Sequence, residues 1–237
     1  FRNKAANENA SAVGYGNNAG GVASSAFGFS NVAKVDYASA FGYSNEASGL
    51  ASSAVGFRNK AASENASAVG YGNNANALAA SAVGYNNTAG GVGSSTIGYN
   101  NTATNENASA FGYGNTAGGL ASSAFGFSNT ASGDNANAFG YNNIASGSKS
   151  NVFGTGNTVS GSSSNAVGTA NEVAAENSTA IGNNNTISSG AENSAALGNN
   201  ISISLKDSVA LGNNSTATAI NSVTGNSSYT KWAGVSD

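Results

Sequence analysis

Bulky apolar residues recur along this chain at a fixed interval, each followed at once by glycine. The glycines fall at positions 14, 28, 42, 56, 70, 84, 98, 112, 126, 140, 154, 168 and 182, then 198 and 212, a spacing of fourteen broken once by sixteen. With the glycine numbered zero, minus one is Val13, Phe27, Phe41, Val55, Val69, Val83, Ile97, Phe111, Phe125, Phe139, Phe153, Val167, Ile181, Leu197 and Leu211. Minus two is Ala in thirteen of the fifteen copies, with Thr96 and Val152 in the others. Plus five is small or apolar throughout, from Ala19 through Ala145 to Val159, Val173, Ile187, Ile203 and Ala217. Asn stands at plus three in thirteen copies, Asn17 to Asn185. A constant period means one small unit stacked on copies of itself. The unit predicts two short strands per turn, one ending at Ser-Ala-Val/Phe-Gly and one centred on plus five. Side chains alternate across a strand, so the alanine at minus two and the bulky residue at minus one face opposite ways. Alanine suits a narrow interior. Glycine supplies positive φ at the first corner, and Asn at plus three also tolerates the left-handed region. No 3.6-residue apolar stripe exists, and Gly, Asn and Ser fill the chain, which speaks against helix.

The expected architecture is therefore all-β, a parallel β-roll (solenoid) of about fifteen 14-residue turns. At ~4.8 Å per turn it makes a rod of roughly 70 Å. The residues at minus one stack into an apolar ladder on the outside of a single chain. Burying each contributes roughly 1.5–3 kcal/mol, and the patch is larger than monomers leave in water. An obligate homo-oligomer with closed symmetry follows, its interface built from the minus-one ladder. Longer duplications overlie the period: residues 1–19 nearly recur at 57–75, and 7–31 at 105–129. Phe1-Arg2-Asn3-Lys4 matches Phe57-Arg58-Asn59-Lys60, so the chain starts in mid-repeat and reads as part of a longer protein. The two extra residues of the sixteen-residue unit fall around Ser188–Glu192 and predict a longer outer turn or bulge there.

Composition narrows the chemistry. The chain has 237 residues, of which 8% are charged, and it contains no Pro, Cys, Met or His. The net charge of −3 comes from eight basic and eleven acidic residues. Scattered charge excludes a nucleic-acid stripe. No apolar run reaches the roughly 18 residues of a membrane helix, and no signal peptide is visible. Without His or Cys the usual triads and zinc sites are missing. The carboxylates form no pair fit for glycoside hydrolysis, and no Gly-Lys-Ser/Thr completes a phosphate loop. The chain is expected not to be an enzyme and to need no cofactor or metal.

Asp207-Ser208-Val209-Ala210-Leu211-Gly212-Asn213-Asn214-Ser215 resembles the head repeat Asn-Ser-Val-Ala-Ile-Gly-x-x-Ser of YadA-like trimeric autotransporter adhesins. Asn177-Ser178-Thr179-Ala180-Ile181-Gly182 and Asn193-Ser194-Ala195-Ala196-Leu197-Gly198 follow it. Earlier copies place Ser at minus three and Tyr or Phe at plus one. The resemblance covers about residues 1–217. It implies a left-handed roll, three chains about an apolar axis, and an extracellular head on a bacterial surface fibre whose outer-membrane anchor lies outside this segment. It also implies attachment to matrix proteins such as collagen, fibronectin or laminin, to cells or to solid surfaces. A passive spacer without its own ligand is the alternative. Residues 218–237 leave the register and are expected to connect to a further head element or stalk.

Aromatic residues follow the glycine in ten consecutive copies: Tyr15, Phe29, Tyr43, Phe57, Tyr71, Tyr85, Tyr99, Tyr113, Phe127 and Tyr141. The tyrosines are candidates for a ligand-binding stripe; alternatively the rings stack on one another and seal the groove between chains. At plus eight, Val22, Leu50, Leu78, Val92 and Leu120 intermix with Asp36, Glu64, Glu106 and Asp134 and are either partner anchors or ordinary edge residues. Thr88, Thr102, Thr116 and Thr130 at plus four make a short ladder that could bind ice, but an ordinary β-favouring surface is the preferred reading. Arg58 and Lys60 are expected to pair with Glu64 at the surface.

Overall fold

The computed structural model describes residues 2–219 and 222–224. Every regular element among them is a β-strand. The chain divides into two compact units, residues 1–127 and 128–237. Each is a parallel β-solenoid in which a five-residue strand alternates with a two-residue strand. The first unit contains nine of each, from Lys4–Ala5 and Ser11–Tyr15 to Thr116–Ala117 and Ser123–Phe127. The second has six long strands, Asn137–Tyr141 to Val209–Asn213, each opposite a short strand such as Thr158–Val159. There the last short element lengthens to Thr216–Ala219, and Ser222–Thr224 pairs with it antiparallel.

Strands pair in parallel with their equivalents one turn away, like on like: Ala68 with Ala82, Val69 with Val83, Gly70 with Gly84, Tyr71 with Tyr85. The backbone bonds continue around the corners. Ser30 N donates to Tyr15 O at 2.9 Å, and Ala23 N to Glu8 O at 2.8 Å. These corner bonds need the N–H turned along the stacking direction, and the left-handed conformation turns it there. It occurs at plus two (Ser30, φ 55°; Asn86, φ 52°) and at plus nine (Ala23, φ 53°; Asn65, φ 55°).

Two sequence expectations change here. The corner glycine lies inside the long strand, followed by its aromatic neighbour, and Asn at plus three is not left-handed. Glycine does hold positive φ, 120° at Gly84, but packing demands it as well. A Cβ on Gly84 would stand 2.1 Å from the carbonyl oxygen of Gly98 one turn on.

The interior is as narrow as expected. Ala26, Ala40, Ala54 and Ala68 at minus two and Ala19, Ala33, Ala47 and Ala61 at plus five are completely buried. Asn at plus three is buried too and forms a ladder. Asn73 Nδ2 lies 3.0 Å from Asn59 Oδ1, 2.9 Å from Val69 O and 2.7 Å from Gly84 O, three acceptors sharing two hydrogens. Asn59 Oδ1 also accepts from Asn73 N at 3.0 Å. Each amide thus ties three successive turns together and satisfies carbonyls the glycine corner leaves open. A second buried column, at minus four, closes the other corner: Ser24 Oγ donates to Gly21 O at 2.7 Å and accepts from Gly21 N at 3.1 Å.

The sixteen-residue unit keeps its register, with Gly182 opposite Gly198 and Ile187 opposite Ile203. The extra length is taken up in the turn, where Ala191 N donates to Ser188 O at 3.1 Å, Gly190 has φ 93° and Ala191 is buried. The expected connector lies mostly outside the described residues.

Candidate functional site

Alternation along the long strand sends minus three, minus one and plus one outward, so one sheet face carries three parallel columns. In residues 1–127 the minus-three column is serine in every long strand, from Ser11 to Ser123. The minus-one column, Val13 to Phe125, is half-buried to exposed on the single chain: Val13 is 56% and Ile97 46% accessible. Phenylalanines in it stack, Phe27 on Phe41 at 5.2 Å and Phe111 on Phe125 at 4.8 Å.

The plus-one column in that unit is a run of nine stacked rings, from Tyr15 to Phe127. Centroids are 5.1 Å apart at Tyr15–Phe29 and 4.7 Å at Tyr71–Tyr85, with interplanar angles of 10° and 5°. The tightest alignment is Tyr113–Phe127, at 4.7 Å and 2°. Ring faces are therefore occupied by neighbouring rings, and ring edges and hydroxyls remain for anything else. The rings stay accessible on the single chain, Tyr85 at 39% and Tyr113 at 47%. The geometry brings Tyr15, Tyr43, Tyr71, Tyr85, Tyr99 and Tyr113 into one row; Tyr141 stands in the second unit.

There the same face changes character. At minus one Phe139 stacks on Phe153 at 5.1 Å, then Val167, Ile181, Leu197 and Leu211 continue at 41–46% accessibility. The flanking columns change as well: minus three runs through Asn137, Asn151, Asn165 and Thr179 and ends in Ala195 and Val209, while plus one turns polar after Tyr141. At minus three Asn137 Nδ2 donates to Asn151 Oδ1 at 2.8 Å, and Asn151 to Asn165 at 2.9 Å. At plus one Asn183 donates to Asn199 at 2.7 Å, and Asn199 to Asn213 at 2.8 Å.

The other candidates lie elsewhere. Leu50, Leu78, Val92 and Leu120 project from the outer turn at 42–46% accessibility, and Asp36 Oδ1 accepts from Val22 N at 2.8 Å. Thr88, Thr102 and Thr116 stand in register on short strands. Arg58 does not pair with Glu64; its guanidinium carbon lies 5.1 Å from the centroid of Phe57, beside the stacked rings. Sequence reasoning missed the amide ladder and the serine at minus four. The signal for the first was present, since a strictly periodic Asn beside a buried strand is as well placed to bond the next turn as to make its own.

A solenoid that fills its interior with alanine and repeats its large side chains outside, turn after turn, defines a class of module built for lengthwise contact rather than for enclosing a small ligand. The model of the YadA head domain repeat matches residues 19–45, 36–59, 47–73, 89–115, 117–143, 160–185 and 206–223. These segments take in more than half of the chain, and the chain belongs to that family. Heads of this kind are parts of adhesin-type fibres on the cell surface. Comparison with individually curated proteins gave no match.

Proposed function

We propose that residues 1–217 form the head of a homotrimeric bacterial adhesin, with Val13 to Leu211 at minus one along the shared axis. Residues 218–237 then lead to the next head element or stalk, and the membrane anchor lies outside this segment. One observation carries the reading: every turn puts a bulky aliphatic or phenyl side chain outside at minus one while its interior is already closed. Water is a poor neighbour for such a ladder, and equivalent ladders on sister chains complete it. The attachment targets the reading favours are matrix proteins such as collagen, fibronectin and laminin, cells, or solid surfaces.

The test pairs mass measurement in solution with an adhesion panel on the purified chain. A trimer retained on at least one of these surfaces is expected; a well-folded monomer overturns the proposal. A spacer role is the second reading, favoured by the duplications 1–19/57–75 and 7–31/105–129, because turns this alike change length without changing surface. Deleting turns in multiples of fourteen residues separates the two. Unchanged adhesion of the parent fibre assigns the segment to spacing.

A further inference from the structure

The apolar band on residues 1–127 is two columns wide. Minus one and plus one lie two residues apart on the same strand face, about 6.7 Å. Serine bounds the band at minus three, and at plus two it is bounded by Gly16, Ser30, Ser44, Arg58, Gly72 and Asn86 in successive turns. The turn at Val209–Asn213 is arranged otherwise: its apolar pair is Val209 at minus three and Leu211 at minus one, and Asn213 holds plus one. Relative to that turn, the band in the first unit is displaced two residues toward the end of the strand.

Pitch identifies what can cover it. The ladder repeats at 4.7–5.1 Å over nine rings. A partner must keep step with it throughout. An α-helix, at 5.4 Å per turn, falls out of step by about 4 Å over that length, nearly one rung. A second parallel solenoid of the same pitch never falls behind, and the molecule at hand with that pitch is another copy of this chain. Most of the eighteen side chains in the two columns are more than a third accessible on the single chain, a continuous apolar surface of the kind that interfaces bury.

We propose that in residues 11–127 the plus-one column from Tyr15 to Phe127 is packed between sister chains beside the minus-one column. The tyrosine hydroxyls reach the polar edge of the contact, as partly buried tyrosines require. The ladder then positions neighbouring chains rather than meeting an external ligand. This rests on the oligomer of the preceding section, and the test separates the two.

The chain has no cysteine, so single-cysteine variants read out cleanly. Tyr85→Cys and Leu78→Cys are made separately, and the mass of each assembly is measured first. In the intact oligomer the thiol at 78 is expected to react freely with a maleimide. The thiol at 85 is expected to react about tenfold or more slowly until the assembly is denatured, and mild oxidation should link chains through position 85 and not 78. An intact oligomer in which both positions label at the same rate overturns the interface assignment alone; a monomer overturns the oligomer as well. If Tyr85→Cys fails to assemble, nitration of the unaltered protein decides. Tyr37, on the outer turn at 62% accessibility, is the internal reference. Ladder tyrosines nitrated as readily as Tyr37 overturn the proposal, and their protection supports it.

Discussion

Residues 1–127 fill their interior with alanine and carry their bulk outside, whereas residues 128–237 shift bulk inward. In the first unit plus five is always alanine, and the outward face bears two apolar columns. In the second, Val159, Val173, Ile187 and Ile203 occupy plus five and are completely buried, Val152 replaces alanine at minus two, and Ile201 takes the place of the ladder asparagine. Outside, threonine and asparagine replace the rings. Hydrophobic area removed from water stabilises wherever it is buried, at about 25 cal/mol per Å². What differs is who buries it. The second unit finishes more of the task within its own chain, while the first, in the oligomer proposed above, leaves more to neighbours. One backbone thus accommodates two allocations of apolar volume, because the turn needs only that minus two and plus five together fit between the strands.

The largest expected effect tests what the two units share. Gly84→Ala and Gly168→Ala each bring a Cβ to about 2 Å from a carbonyl oxygen of the next turn, 2.1 Å and 2.0 Å respectively. Both substitutions are expected to cost more than about 4 kcal/mol, combining a forbidden φ with a backbone clash. Denaturant titration followed by far-UV circular dichroism checks this, and tolerance in either unit means the turns do not approach so closely there.

Next in size is a pair that sharpens the contrast. Ile187→Ala empties a closed interior and is expected to lose about 2–5 kcal/mol relative to the unaltered protein, a loss that stays the same when both are diluted. Phe111→Ala removes an outward rung, so its loss should grow on dilution, as dissociation is linked to unfolding. Melting curves at two concentrations a hundredfold apart distinguish them; equal concentration dependence erases the proposed division of labour.

Asn87→Ala comes third. It leaves Val83 O, Gly98 O and Asn101 N without the amide partner they have at 3.0, 2.7 and 3.0 Å. Buried groups left unpaired cost about 1–3 kcal/mol each, softened by water entering at the corner, so a net loss of about 3 kcal/mol is expected. Asn157→Ala should cost the same, since the ladder runs through that unit as well. A silent substitution at either site rules out a stabilising ladder.

The smallest effect is a gain. Where plus eight is acidic, plus nine is usually asparagine, as in Glu64–Asn65; where it is aliphatic, plus nine is alanine or glycine, as in Leu50–Ala51, Leu78–Ala79 and Leu120–Ala121. Those alanines sit at φ 51–54°, a region they occupy at a cost of about 1 kcal/mol. Ala51→Asn should stabilise by about 0.5–1 kcal/mol and Asn65→Ala should reverse the sign, both readable as shifts in Tm.

Much of this was legible beforehand. Alternation placed Ala68 inward and Val69 outward without coordinates, because a strand offers only two faces. The longer turn near Ser188–Glu192 followed from counting. Other features were not readable one repeat at a time. Asn73 looked like a corner residue because asparagine tolerates the left-handed region, yet that conformation went to Gly72 and Asn86, and the amide turned inward. Arg58 looked like one half of an ion pair, and an adjacent ring took it instead.

The amino-acid sequence by itself determined the period, the strand pair within each turn, and the identity of inward and outward positions, since these depend on side-chain size and on a spacing counted along one chain. The tertiary structure decided how a turn meets the next. Only stacking at about 4.8 Å brings Gly84 O to Asn73 Nδ2 and makes a Cβ on glycine collide. It is also what lays Tyr71 flat on Tyr85. These contacts join residues eleven to fourteen apart, and their distances are set by the backbone hydrogen bonds between turns.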